Sequence, residues 1–370
     1  MSRETELRIG QPSTGTDDSA PVIRYPTVPM FSRSFVAFLL VLVVGGPVAG
    51  GADPAPAASL PFLPSPILPG GIVLPLFPPE STRLKRERLH EVEQYNTTLA
   101  GGSTKIQSVI GIHNPSIEVH LVGGRTGAAI IVAPGGGHRI LWVGPEGGDL
   151  VPFLANYGVS TIILRNRLRV DGYEPRTDAV NDALQAIRLV RANAAAWKLD
   201  PAKIGIMGFS AGAELAAAAA LEYDAFQAAN RGDQDPLAAV SARPDFVGLI
   251  YPGPTPFAKE GNPSIPVNVP PTFLMCPGSG DRVHALWATE YFTAMLKASV
   301  PNLEMHIYGN GVHGGGIKDR DGIPLGTWQY RSIDWFRDLG FLSKPGVETK
   351  AAVDVAAYAK ARSAPAAVKP

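Results

Sequence analysis

Cysteine is nearly missing. Cys276 is the single one in 370 residues, which excludes an intrachain disulfide and leaves stability to packing. Charge of one sign is missing too: 33 basic and 33 acidic residues give a formal net charge of zero. No basic field argues for nucleic acid or an anionic membrane surface as a partner. No internal repeat is visible. The apolar run from Phe35 to Val44 is short of the roughly 20 residues that a spanning helix wants.

That run carries the clearest localisation signal. Arg33 precedes it and small residues follow it to Gly51 and Ala52, the order of a secretory signal with cleavage after Ala52. The expectation is a secreted or periplasmic protein. Since 29 residues precede Met30, either the chain starts at Met30 or the run is a membrane anchor behind an N-terminal tail; the cleaved signal is favoured. The organisation expected is tail and signal over 1–52, a Pro- and Ala-rich linker over 53–84, one domain over 85–345 and a C-terminal tail over 346–370. Proline donates no N–H, so regular ladder pairing is difficult in the linker. The tail is alanine-rich with scattered lysines, and no function is assigned to it. Oligomeric state is not legible.

Within the domain, strand and helix signals alternate. Strands are predicted at 116–122, 128–133, 159–164, 203–207, 246–251, 272–276 and 303–308. Val180, Ala183, Ile187, Val190, Ala194 and Trp197 recur at helical steps and predict a core-facing stripe, with Arg188 and Arg191 outside it and solvated. Buried strands alternating with such helices imply an α/β fold, a mostly parallel sheet covered on both faces. Ligands are then expected at the carboxyl ends of the strands.

One short string at such an end is the most informative in the chain: Gly208-Phe209-Ser210-Ala211-Gly212, between the apolar run from Ile204 and an alanine-rich helical stretch. A strand turning sharply into a helix with serine at the apex is a nucleophile elbow. A serine hydroxyl needs a base to take its proton and an acid to orient that base. Three histidines follow Ser210. His284 comes too early and reads as a helix-surface residue, His306 alternates within a strand, and His313 sits in a glycine-rich loop after that strand. His313 is therefore the expected base. Asp281 is the only carboxylate in the loop 277–283, and is the expected acid, with helix capping as its rival role. Pro134-Gly135-Gly136-Gly137-His138 follows a buried strand. The amides of Gly136 or Gly137, with that of Ala211, are expected to hold a developing oxyanion. His138 and Trp142 are candidate substrate contacts. No metal and no organic cofactor is required by this chemistry.

The chain resembles α/β-hydrolase esterases of the acetyl xylan esterase and bifunctional feruloyl/acetyl esterase type, over roughly residues 91–342. The matching pieces are Pro134-Gly135-Gly136-Gly137, Glu146-Gly147, Asp200-Pro201, Met207 to Gly212, Arg243-Pro244-Asp245-Phe246, Leu249-Ile250-Tyr251-Pro252, Asp281, and Gly311-Val312-His313-Gly314. The resemblance implies a triad on Ser210, Asp281 and His313, and removal of acetyl or feruloyl groups from carbohydrate. Alternatives are a general carboxylesterase or a peptidase on the same fold, or an inactive hydrolase fold used for binding. The family often reads S-A-G-G-H-L-A after the serine, where this chain has Ala213 and Glu214. It often has two adjacent aspartates in the acid loop, where this chain has Gly280 before Asp281.

Overall fold

The computed structural model describes residues 60–123, 125–230, 235–318 and 322–364. The signal assigned to 1–52 and the first part of the linker lie outside them. The strands are β1 (Ile72–Pro75), β2 (Gln94–Ala100), β3 (Ser103–Ile110), β4 (Ser116–His120), β5 (Ala129–Ala133), β6 (Ser160–Arg165), β7 (Ile204–Phe209), β8 (Val247–Ile250), β9 (Thr272–Pro277) and β10 (Glu304–Tyr308). The helices are α1 (Leu150–Asn156), α2 (Val180–Ala192), α3 (Ala211–Ala229), α4 (Pro256–Glu260), α5 (Arg282–Lys297), α6 (Trp328–Asp338) and α7 (Lys350–Ser363).

Eight strands form one sheet in the order β1-β4-β6-β5-β7-β8-β9-β10, while β2 and β3 make a separate hairpin. From β6 to β10 every neighbouring pair is parallel; β1 and β4 run antiparallel at the other edge. The protein has an α/β-hydrolase fold.

The strands β5, β7, β8 and β9 are almost continuously apolar because both faces are covered. Successive side chains of a strand point to opposite faces. Ala129, Ile131, Ile204, Ile206, Val247, Leu249, Leu274 and Cys276 thus join one core, with α2, α3 and α5. Ile130, Val132, Met207, Phe209, Ile250, Phe273 and Met275 join the other, with α1 and α6. The five alanines 216–220 are all buried, and their small side chains let α3 lie close to the sheet. Cys276 is fully buried, and burial pushes its thiol well up from the ordinary range. In native protein it should not react with a thiol reagent on the timescale on which the urea-unfolded chain gives one thiol per molecule; a stoichiometric native reaction would contradict this packing.

The structure corrects three expectations. The domain begins by residue 60, not 85, because the segment read as linker supplies β1, which pairs with β4 from Ile72↔Val119 to Pro75↔Ser116. Proline is tolerated there because β1 is an edge strand. Leu76, Phe77 and Leu84 of the same segment are buried in the core.

Two arginines that follow one another closely hold the segment. Fully buried Arg165 donates to Glu118 at 3.0 Å and to the Ser65 carbonyl at 2.9 Å, while Glu118 accepts the amides of Ile67 and Leu68. Buried Arg167 donates to both oxygens of Asp182, at 2.7 to 3.1 Å, and to the Arg83 carbonyl at 2.7 Å.

The C-terminal stretch is also part of the domain: α7 buries Ala351 and Val355, and the Tyr358 hydroxyl donates to the Ala298 carbonyl. Arg188 is buried rather than solvated. Its guanidinium stands 4.5 Å from the Phe226 ring centre and donates to Gln227 Oε1 at 2.9 Å. Arg191 pairs with Asp245 at 2.9 Å. A long cationic stem covers apolar surface while its head finds acceptors, which a count of apolar positions does not register.

Candidate active site

Ser210 ends β7 and precedes α3 with φ +53° and ψ −118°, a sparsely populated conformation for a residue with a Cβ. The residues two before and two after it must be glycine. A Cβ on Gly208 would lie 2.2 Å from the Gly212 carbonyl oxygen, and one on Gly212 would lie 2.0 Å from that of Ala133. The turn is therefore packed against the end of β5 as tightly as backbone allows.

His313 lies in the loop after β10. Its Nε2 is 2.8 Å from Ser210 Oγ and its Nδ1 is 2.6 Å from Asp281 Oδ2. Asp281 occupies the N-cap position of α5, yet its carboxylate makes no capping bond. Both of its oxygens go to imidazoles: Oδ2 to His313 and Oδ1 to His284 Nδ1 at 2.5 Å. His284 is thus not the plain helix-surface residue expected. Asp281 and His284 are three apart, one helical turn, and the His284 ring lies 3.9 Å from that of His313. Burial holds His284 below the ordinary imidazole range, against the pull of Asp281. In the sequence the pair is marked only by its three-residue spacing, which does not by itself show that the imidazole reaches the carboxylate.

Gly280 has a physical reason to replace the family's first aspartate. A Cβ there would stand 1.7 Å from the Gly311 carbonyl oxygen, so only glycine lets the acid loop touch the loop of His313.

The glycine run after β5 has Gly136 at φ +128° and Gly137 at φ +64°. A Cβ on Gly136 would meet the Ile140 carbonyl oxygen at 2.1 Å. Among the described residues the amides of Gly136, Gly137 and Ala211 give no hydrogen bond to a protein acceptor, and α3 directs its first amides toward the apex serine. His138 is buried at φ +58°, with Nε2 3.5 Å from Glu214 Oε2. Glu214, which replaces the family's histidine, also binds Lys259 Nζ at 2.5 Å. Burial would raise its carboxyl, but His138 and Lys259 together hold it below the ordinary range. The Trp142 side chain is partly exposed at 37%.

Beneath the site lies a network that sequence reasoning noted only as matching motifs. Buried Glu146 accepts the Gly135 amide at 2.8 Å and the Tyr251 hydroxyl at 2.8 Å; Tyr251 in turn accepts the Gly316 amide at 3.1 Å. The Tyr251 ring meets His313 edge-on at 4.9 Å. Two residues far apart in sequence thereby tie the glycine loop to the histidine loop, and no local pattern announces it. Tyr251→Phe removes one donor to a buried carboxylate and should lower stability by about 1–3 kcal/mol, measured by chemical denaturation. An unchanged midpoint would mean that the hydroxyl bond carries little.

Fold and side-chain geometry together define an α/β-hydrolase with a serine, an imidazole and a carboxylate in one hydrogen-bonded line. The BD-FAE family model matches residues 154–249. The acetylxylan esterase of Xylanibacter ruminicola is 32% identical over 127 residues, 34% of this chain and 23% of that protein. Endo-1,4-beta-xylanase B of Butyrivibrio fibrisolvens is 31% identical over 125 residues, 33% of this chain and 19% of that protein. The matches thus span less than a quarter of those curated relatives. The crystal structure of an acetyl ester-xyloside bifunctional hydrolase from Caldicellulosiruptor lactoaceticus superposes with a TM-score of 0.58 at 26% identity, covering 75% of this chain and 99% of that one. The chain is an α/β-hydrolase similar to carboxylic-ester hydrolases of the acetyl xylan esterase type.

Proposed function

We propose that this protein is a serine carboxylic-ester hydrolase, secreted, that removes small acyl groups, acetyl or feruloyl, from carbohydrate. The observation that carries the reading is the pair of bonds on one ring, 2.8 Å to Ser210 Oγ and 2.6 Å to Asp281 Oδ2. Together they assign the neutral imidazole its proton at Nδ1, leaving the Nε2 lone pair toward the serine.

Ser210 Oγ attacks the ester carbonyl as His313 Nε2 takes its proton. Asp281 stabilises the imidazolium. The amides of Ala211 and of Gly136 or Gly137 donate to the oxyanion, each worth about a hundred- to a thousandfold in rate. His313 then protonates the departing alcohol, and a water activated by the same nitrogen frees the acid. Trp142 offers a face on which a sugar or a feruloyl ring stacks, and His138 lines the glycine loop. The run from Phe35 to Val44 supports export, and none of the described helices is long and apolar enough to cross a membrane.

A second reading, a general carboxylesterase acting on simple esters, draws support from Val312 and Val283, which are 67% and 54% exposed and lie one and two residues in sequence from His313 and Asp281. Release assays on the full chain separate the two. The carbohydrate reading expects acetate from acetylated xylan or ferulate from feruloylated arabinoxylan. Cleavage of p-nitrophenyl acetate alone would leave the simple-ester reading in place and remove the carbohydrate one.

A further inference from the structure

The proposed hydrolysis needs one imidazole on Asp281, and the structure supplies two. We propose that His284, His313 and Asp281 form a binding site for a divalent transition-metal ion of the zinc class, and that the ion, once bound, shuts off the esterase. The inference rests on the serine-esterase reading for its consequence, though not for the binding itself.

The donor set is two imidazole nitrogens and a carboxylate oxygen, all lying within 4.8 Å of one another. Two histidines and a carboxylate with one open position is an established zinc ligand set. Both Nδ1 atoms already converge on one carboxylate, at 2.5 and 2.6 Å. Four ligands around zinc stand roughly 3.3 Å from each other, so the ion enters as the two rings withdraw slightly from the carboxylate. Asp281 caps no helix amide and is free to turn toward the ion. The His313 side chain is 34% exposed, which gives hydrated zinc an approach and leaves room for a water as fourth ligand. As a mere hydrogen-bond donor to Asp281, His284 has no need of an aromatic ring with a metal-binding lone pair.

Inhibition follows from the tautomer. A neutral imidazole that binds metal through Nδ1 carries its proton on Nε2. Each ring moves one proton from Nδ1 to Nε2, and no net proton is released. Ser210 Oγ then faces an N–H donor where it had faced a lone pair, and no base remains to accept its proton.

The test titrates zinc chloride into the full chain by calorimetry, and separately measures p-nitrophenyl acetate hydrolysis with and without zinc. Wild type should bind one zinc tightly, with a dissociation constant below about 0.1 mM, and lose activity reversibly on addition, with recovery by EDTA. Ser210→Ala, which has no turnover to read, should bind zinc as wild type does. His284→Ala and His284→Gln should each weaken binding by at least about tenfold and raise the half-inhibitory zinc concentration in proportion, whatever their rates without zinc. Circular dichroism checks that both variants are folded. Zinc binding and inhibition unchanged in both folded His284 variants, or no stoichiometric binding to wild type, would overturn the proposal. Binding lost with His284 in a protein that hydrolyses no ester would uphold the site and sink the esterase reading instead.

Discussion

Ser210→Ala should lower ester turnover by about ten-thousand- to a million-fold while shifting unfolding by less than about 0.5 kcal/mol. The substitution takes away one hydroxyl whose bond goes to His313 and leaves the glycines at 208 and 212, which form the turn. His313→Ala should match it, because a nucleophile and its base act as a unit and their losses do not add. Asp281→Asn should also be severely impaired, since an amide no longer fixes the Nδ1–H tautomer. The measurement is p-nitrophenyl acetate hydrolysis beside a thermal melt. A Ser210→Ala protein retaining a tenth of the wild-type rate would show that another group attacks.

The largest stability effect is expected far from Ser210. Arg167→Ala strands the fully buried carboxylate of Asp182, which receives three side-chain contacts and the Arg167 amide at 2.9 Å. Breaking a buried pair from one side costs about 3–5 kcal/mol, or roughly 10 °C in melting temperature for a domain of this size. Much of the cost is the penalty left on the partner, so the double variant Arg167→Met with Asp182→Leu should recover most of it. If the single and double variants melt alike, the loss comes instead from the bond to the Arg83 carbonyl and the docking of the preceding segment.

The sheet was legible because its inner strands are short, mostly apolar runs and the outer β4 and β10 alternate apolar with polar residues, each bounded by turn signals. The alternation in β5 and β7 sorts directly into two cores. The serine elbow was legible because backbone collision dictates glycine at two fixed offsets. What stayed hidden depends on partners distant in sequence. β1 is short, ends in Pro75 and sits at an edge, so it reads as linker until Glu118, Arg165 and Arg167 are seen to hold its surroundings. Arg188 reads as solvated because its acceptor, Gln227, and its ring, Phe226, lie on another helix. His284 reads as surface because spacing along the chain does not show which oxygen of Asp281 remains to be satisfied. The link from Glu146 through Tyr251 to Gly316 joins three loops, and only the folded arrangement brings them together.

The contact of position 280 with the carbonyl of Gly311 bears on any attempt to reshape this protein. Those two stretches touch main chain to main chain, with no side-chain layer between them to absorb a mismatch. Grafting one of them from a homologue without its counterpart would force the donor segment into a gap cut for another. The workable unit of exchange in directed redesign is the pair, transplanted together.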